Sequence, residues 1–170
     1  MRAVVLLSGG LDSTTALYWA KEQGYSPIAL TIFYGQRHAR ELSAAKKVAM
    51  AAKVPQIMAR LPLPWLKTSS LVDKAKPLPR QALAKIGTGP IPSTYVPGRN
   101  TVFMSLAFSL ADARGAGAVV IGANALDYSG YPDCRPEYFR ALEKAARLGT
   151  RERKLKILTP LARMDKKGIV

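Results

Sequence analysis

The residues best suited to chemistry come early, in Ser8-Gly9-Gly10-Leu11-Asp12-Ser13, between a short apolar run and a helical pattern. Adjacent glycines let the backbone turn with positive φ and let an anion approach closely, while a helix that follows points unpaired N–H groups at the same spot. Such a loop is a cradle for phosphate. Ser8 and Ser13 add hydroxyl donors, and Asp12 can hold the turn by accepting backbone N–H groups or orient a magnesium-bound water. The plainer alternative is a strand-to-helix connection capped by Asp12 or Ser13, but a cap alone does not need two glycines.

The elements that must position this loop follow from periodicity. Residues 3–7 are a branched apolar run stopped by Ser-Gly-Gly, the pattern of a strand buried on both faces. Residues 13–23 carry Ala16, Leu17, Trp19 and Ala20 at helical spacing and end at Gly24, a C-terminal cap. A second strand is expected over 28–33, a second helix over 40–52 and a third strand over 56–61. A helix over 101–114, capped by Asn100 or Thr101, leads to a fourth strand over 118–121. Pro136 opens a further helix running to about residue 148, before a fifth strand at 155–158. Alternation of this kind implies a single α/β domain over 1–170, a Rossmann-like, doubly wound parallel sheet of about five strands. The irregular stretch around 66–95 reads as a lid or disordered loop, and Asp165 as the opening of one more helix.

Composition narrows the function classes. The 26 Lys and Arg against 11 Asp and Glu give a formal charge of +15, a field that attracts phosphorylated ligands or RNA. Because the charges are scattered, a solvated basic surface explains them equally well. Aromatic content of 8% is too low for a base-stacking platform, so direct nucleic-acid binding is not expected. One cysteine, Cys134, rules out an internal disulfide framework and a thiolate zinc site, and points to a reducing compartment. With neither a cleavable leader nor an apolar stretch of membrane-spanning length, the chain reads as soluble and cytoplasmic, with no membrane partner. Apolar surface on the late helices can serve a homodimer.

The loop lacks the Walker spacing and the Gly-x-Gly-x-x-Gly dinucleotide fingerprint. Ser-Gly-Gly-x-Asp-Ser after the first strand resembles instead the pyrophosphate loop of the PP-loop ATP pyrophosphatase superfamily, an adenine nucleotide alpha hydrolase-like fold whose members split ATP between the α and β phosphates. Further segments are Phe33-Tyr-Gly-Gln-Arg-His38, Val96-Pro-Gly-Arg-Asn-Thr-Val-Phe103, Ile121-Gly-Ala-Asn124 and Tyr128-Ser-Gly-Tyr-Pro-Asp-Cys-Arg-Pro-Glu137. Together they resemble the 7-cyano-7-deazaguanine synthase family, over essentially the whole chain.

The resemblance implies an ATP-dependent C–N ligase of queuosine biosynthesis, with ATP and magnesium as cofactors and 7-carboxy-7-deazaguanine and ammonia as small-molecule substrates. It places ATP on Ser8, Gly9, Gly10, Leu11, Asp12, Ser13, Thr14 and Thr15. Attack of a carboxylate on the α-phosphorus builds negative charge, so Arg37, Arg99 and Lys166 are candidate catalytic cations, and His38 can add charge or take a proton from ammonium. Asn100, Asn124, Tyr131, Asp133 and Arg135 offer polar contacts and a stacking face for a purine-like carboxylate. Each has a simpler reading: His38 as a surface residue, Arg99 and Asn100 as helix-start residues, Tyr128 and Tyr131 as packing aromatics, Cys134 as filler rather than nucleophile.

Two departures from the family pattern stand out. The resemblance implies a Cys-rich zinc site near the C-terminus, and its ligands are not in this sequence, so no metal-binding residue is assigned. Gly168 stands where a Glu is usual. The competing functions are a PP-loop enzyme that thiolates tRNA, favoured by charge but short of cysteines, and a non-catalytic nucleotide-binding domain of similar fold.

Overall fold

Runs of small and branched apolar residues can be covered on both faces of a sheet, and residues 3–7 and 118–120 are buried throughout in that way. The computed structural model describes residues 1–35, 39–63, 94–124, 131–164 and 168. Arg37, His38, Lys166, Asp165 and the 66–95 segment apart from Thr94 and Tyr95 lie outside them.

The order is β1 (Arg2–Leu6), α1 (Leu11–Glu22), β2 (Ser26–Phe33), α2 (Ala39–Ala51), β3 (Gln56–Arg60), α3 (Arg99–Arg114), β4 (Ala118–Val120), a 3-10 turn at Pro132–Cys134, α4 (Pro136–Gly149) and β5 (Lys156–Leu158). The five strands form one sheet in the order β3-β2-β1-β4-β5, and every pairing is parallel. The chain winds outward from β1 in both directions, which puts the topological switch point between β1 and β4.

Alternation along the strands divides the core into two layers. Ala3, Val5 and Leu7 join Ala118 and Val120 against Ala16, Leu17 and Ala20 of α1 and Ala45 and Ala49 of α2. Val4, Leu6, Leu30, Ile32 and Val119 face Met104, Ala107, Phe108 and Ala111 of α3 and Phe139 and Ala146 of α4. Alanine-rich helix faces let helices sit close to a sheet, and Ala16, Ala20, Ala45 and Ala49 are buried in that role.

Boundaries move where caps are made by backbone rather than side chains. The first helix begins at Leu11, not residue 13, with Gly10 as its N-cap and no side-chain cap; Asp12 and Ser13 therefore lie inside the first turn. The helix expected over 101–114 begins at Arg99, because Gly98 takes the cap in the left-handed region with φ 61°. Asn100 is then free of the capping role assigned to it, and its side chain turns to Asp133 and Cys134. Gly24, at φ 76°, ends α1 as expected, its N–H reaching the Lys21 carbonyl at 3.0 Å, and Pro136 opens α4.

Candidate active site

Parallel strands deliver their C-terminal ends to one edge of the sheet, and ligands of open α/β folds sit beyond that edge at the switch point. A cavity of about 330 Å³ lies there, framed by Ser8, Asp12 and Ser13 after β1, Thr31, Ile32 and Tyr34 at the end of β2, Glu41 on α2, Arg99, Asn100 and Phe103 on α3, and Gly122 after β4.

The loop is stitched by its own hydroxyls. The Ser8 N–H donates to Ser13 Oγ at 3.2 Å, the two hydroxyls lie 3.0 Å apart, and Ser13 Oγ donates to the Gly10 carbonyl at 3.0 Å. Thr14 Oγ1 donates to the same carbonyl at 2.8 Å. These hydroxyls hold the turn's shape, and the N–H groups of Leu11, Asp12 and Ser13, which have no carbonyl within the helix to bond, are the kind of donors that can receive an anion. Leu11 is half-exposed and Thr15 partly exposed on the same turn.

The two glycines do different things. Gly9 has φ 84°, and a Cβ there would overlap the Ala45 backbone nitrogen and lie 2.8 Å from the Glu41 carbonyl oxygen. It is required by the turn and by the packing of α2. Gly10 has an ordinary extended backbone with φ −77°, and among the described residues a Cβ there would meet only Ser8 Oγ at 3.5 Å. The expectation that both glycines serve a positive-φ turn holds for Gly9 alone. What Gly10 leaves is open space over the helix N-terminus.

Asp12 and Asn124 join the two sides of the switch point. Asn124, 2% exposed, donates its Nδ2 to Asp12 Oδ2 at 3.0 Å. The other oxygen, Asp12 Oδ1, is buried without a hydrogen-bond partner among the described residues. Burying an unmet carboxylate oxygen is costly, and that leaves a place for a cation, a metal-bound water or a ligand N–H. Magnesium accompanying ATP fits this acceptor. Among the described residues no group of three or more His, Cys, Asp or Glu could hold a metal ion, so a zinc site of the kind the resemblance implies does not fit them.

Arg99 lines the cavity from the first turn of α3. Burial works against its charge, but Tyr34, which attracts it and accepts its side-chain hydrogen bond, outweighs that together with Asp133 and Cys134, and its pKa lies above the ordinary value. The guanidinium is a fixed cation.

The candidate substrate residues separate into two groups. Asn100 and Asp133 are buried against each other: the Asn100 N–H donates to Asp133 Oδ2 at 2.9 Å and Asn100 Nδ2 to the Asp133 carbonyl at 3.1 Å. Asn100 Nδ2 also lies 3.0 Å from Cys134 Sγ, which borders the cavity. Tyr131 and Arg135 stand outside the cavity lining. Tyr131 stacks on Tyr95, with ring centroids 6.2 Å apart, and its hydroxyl meets Thr94 Oγ1 at 2.8 Å. Arg135 is exposed at the N-cap of α4.

Residues that sequence reasoning passed over also border the cavity. Tyr34 packs edge-on against Phe103, centroids 5.2 Å apart. Thr31, buried in β2, donates to the Leu7 carbonyl at 2.8 Å and accepts from Gln56 Nε2 at 2.9 Å, which fixes the exit of β1 into the loop. Aromatic and β-branched residues in strands read as core, and only the position of Tyr34 within the Phe33 to His38 segment hinted otherwise.

Known proteins bear on this arrangement in two ways. In fold, the chain is similar to a predicted subunit of tRNA methyltransferase from Methanocaldococcus jannaschii (TM-score 0.63, 20% identity, 99% of this chain and 72% of that one). It is also similar to a 4-thiouridine synthetase solved with RNA and bound ATP (TM-score 0.58, 20% identity, 99% and 38%). In sequence, it is 49% identical over 173 residues to the 7-cyano-7-deazaguanine synthase of Leptospira interrogans, covering 99% of this chain and 70% of that protein. It is 53% identical over 151 residues to the enzyme of the same name from Synechococcus elongatus, covering 88% and 64%. Residues 2–170 match the family model described as Queuosine biosynthesis protein QueC. A pyrophosphate-type loop at the switch point of a parallel sheet, a fixed arginine across the cavity and a family match over nearly every residue lead to one conclusion: the chain belongs to the QueC queuosine biosynthesis family.

Proposed function

We propose that this chain converts 7-carboxy-7-deazaguanine and ammonia to 7-cyano-7-deazaguanine at the expense of ATP, as a nitrile-forming C–N ligase. The observation that carries the reading is the Ser8 to Ser13 loop at the switch point, with first-turn N–H groups that have no carbonyl within the helix to bond and, beside them, Asp12 Oδ1, buried without a hydrogen-bond partner among the described residues.

The chemistry runs in two activations. A carboxylate oxygen attacks the α-phosphorus of ATP, pyrophosphate leaves, and ammonia displaces AMP from the acyl adenylate to give an amide. The amide oxygen then attacks a second ATP, pyrophosphate leaves again with one N–H proton released, and loss of AMP with the second N–H proton closes the C≡N bond. Each phosphoryl step gathers negative charge, so the helix N-terminus and Arg99 act where it develops. Gly10 admits the phosphates to the N–H groups of Leu11, Asp12 and Ser13. Asp12 Oδ1 would take up the magnesium that travels with ATP, either directly or through its water.

For the remaining residues, Arg37, His38 and Lys166 are proposed to add charge and handle the ammonium proton, and Tyr131 and Arg135 to reach the deazapurine from the rim. Asn100 borders the cavity and Asp133 holds it in place. The substrates are free small molecules, and the setting is cytoplasmic. A thiolating role fits poorly, since the single cysteine is buried and hydrogen-bonded.

The test is reconstitution with ATP, magnesium, ammonium and 7-carboxy-7-deazaguanine. The nitrile should appear with AMP at two per turnover; absence of both ends this assignment.

A further inference from the structure

We infer that Asn124 is a positioning residue for magnesium-ATP, holding the Asp12 carboxylate from across the switch point rather than contacting the deazapurine. The inference rests on the nucleotide reading above and deepens it.

Three observations converge. Asn124 Nδ2 donates to Asp12 Oδ2 at 3.0 Å, while Oδ1 of the same carboxylate is buried with no partner among the described residues. An amide that occupies one oxygen fixes the plane of the carboxylate and presents the other in a single direction. The segment carrying Asn124 is pressed onto the same turn: a Cβ on Gly122 would lie 2.7 Å from the Asp12 carbonyl oxygen and 3.1 Å from the Ser13 nitrogen. Asn124 itself is 2% exposed, which suits a residue acting through another better than one that reads a ligand from solvent. Asparagine suits the position chemically: it donates without adding charge, so the carboxylate keeps its full negative charge for a cation.

The test uses the full-length protein and α,β-methylene-ATP, a non-cleavable analogue, titrated calorimetrically with and without magnesium. In Asn124→Ala the magnesium concentration giving half-maximal enhancement of analogue binding should rise about ten-fold or more, as expected for loss of a hydrogen bond to a charged group. Analogue binding without magnesium and the KM for 7-carboxy-7-deazaguanine should stay within about two-fold. Asn124→Asp, nearly isosteric, sets a second carboxylate against Asp12 and should also weaken analogue binding in the absence of magnesium. In Asp12→Asn, adding Asn124→Ala should have little further effect on magnesium dependence, since the two act as a unit. Unchanged magnesium dependence with a raised KM for the deazapurine would overturn the inference and leave the nucleotide site standing. Failure of the wild-type protein to bind the analogue at all would instead remove the nucleotide reading and the inference with it.

Discussion

The backbone N–H of Asn100 donates to the Asp133 carboxylate at 2.9 Å, and the Asn100 side chain returns the contact to the Asp133 carbonyl at 3.1 Å. Asn100 donates in both bonds and Asp133 accepts in both, which ties the start of α3, where Arg99 sits, to the turn before α4. Both residues are buried, at 6% and 7% exposure. Asp133→Ala leaves a helix-start N–H unmet and should cost about 1–3 kcal/mol of stability. Denaturant unfolding checks it, and Asp133→Asn, which keeps an acceptor, should lose less.

Gly9 and Gly10 should respond oppositely to the same substitution. Gly9→Ala forces a side chain into a positive-φ position and into the α2 backbone, and should destabilise by roughly 1–3 kcal/mol or prevent folding. Gly10→Ala meets no such obstacle, so the melting temperature should hardly move. It should instead weaken ATP binding, because its methyl group occupies the approach to the helix N-terminus. Thermal unfolding and nucleotide titration on the two variants separate these effects.

Arg99→Lys tests whether a planar, permanently charged group is needed. Removing a preorganised donor to developing charge lowers kcat by roughly a hundred-fold. The wild-type guanidinium has a pKa above its ordinary value and stays protonated throughout the assay range. A lysine amine ordinarily loses its proton at about pH 10, well below a guanidinium, so the variant should lose further activity as pH rises towards that value, an alkaline limb that Arg99 does not itself impose. A kcat–pH profile reads this directly.

Much of this architecture was legible beforehand. The uninterrupted apolar runs, the stop at Gly24 and Pro136 at a helix start name the parallel sheet and its helices, since each rests on local periodicity or a backbone constraint. The family emerged from segments spread along the chain, and the match over residues 2–170 agrees with it. Contacts between distant segments were harder to see. Asn100 looked like a helix cap because polar residues at helix starts usually are, yet Gly98 caps the helix and Asn100 pairs with Asp133, 33 positions away. Asn124 and Asp12 are 112 positions apart, and no periodicity reveals such a pair. Thr31 and Tyr34 were hidden by residue type, because a β-branched residue within a strand and an aromatic just after one ordinarily fill a core. The loop glycines looked equivalent, and only the three-dimensional path separates their roles.

The N-terminus of α1 as the seat of ATP's phosphates is tested most directly by calorimetric titration of magnesium-ATP into the Asp12→Ala, Ser13→Ala double variant beside the wild-type protein. With folding confirmed by circular dichroism, affinity should fall by about ten-fold or more, as two anchoring groups of the loop are lost. Undiminished affinity in a folded double variant would contradict it.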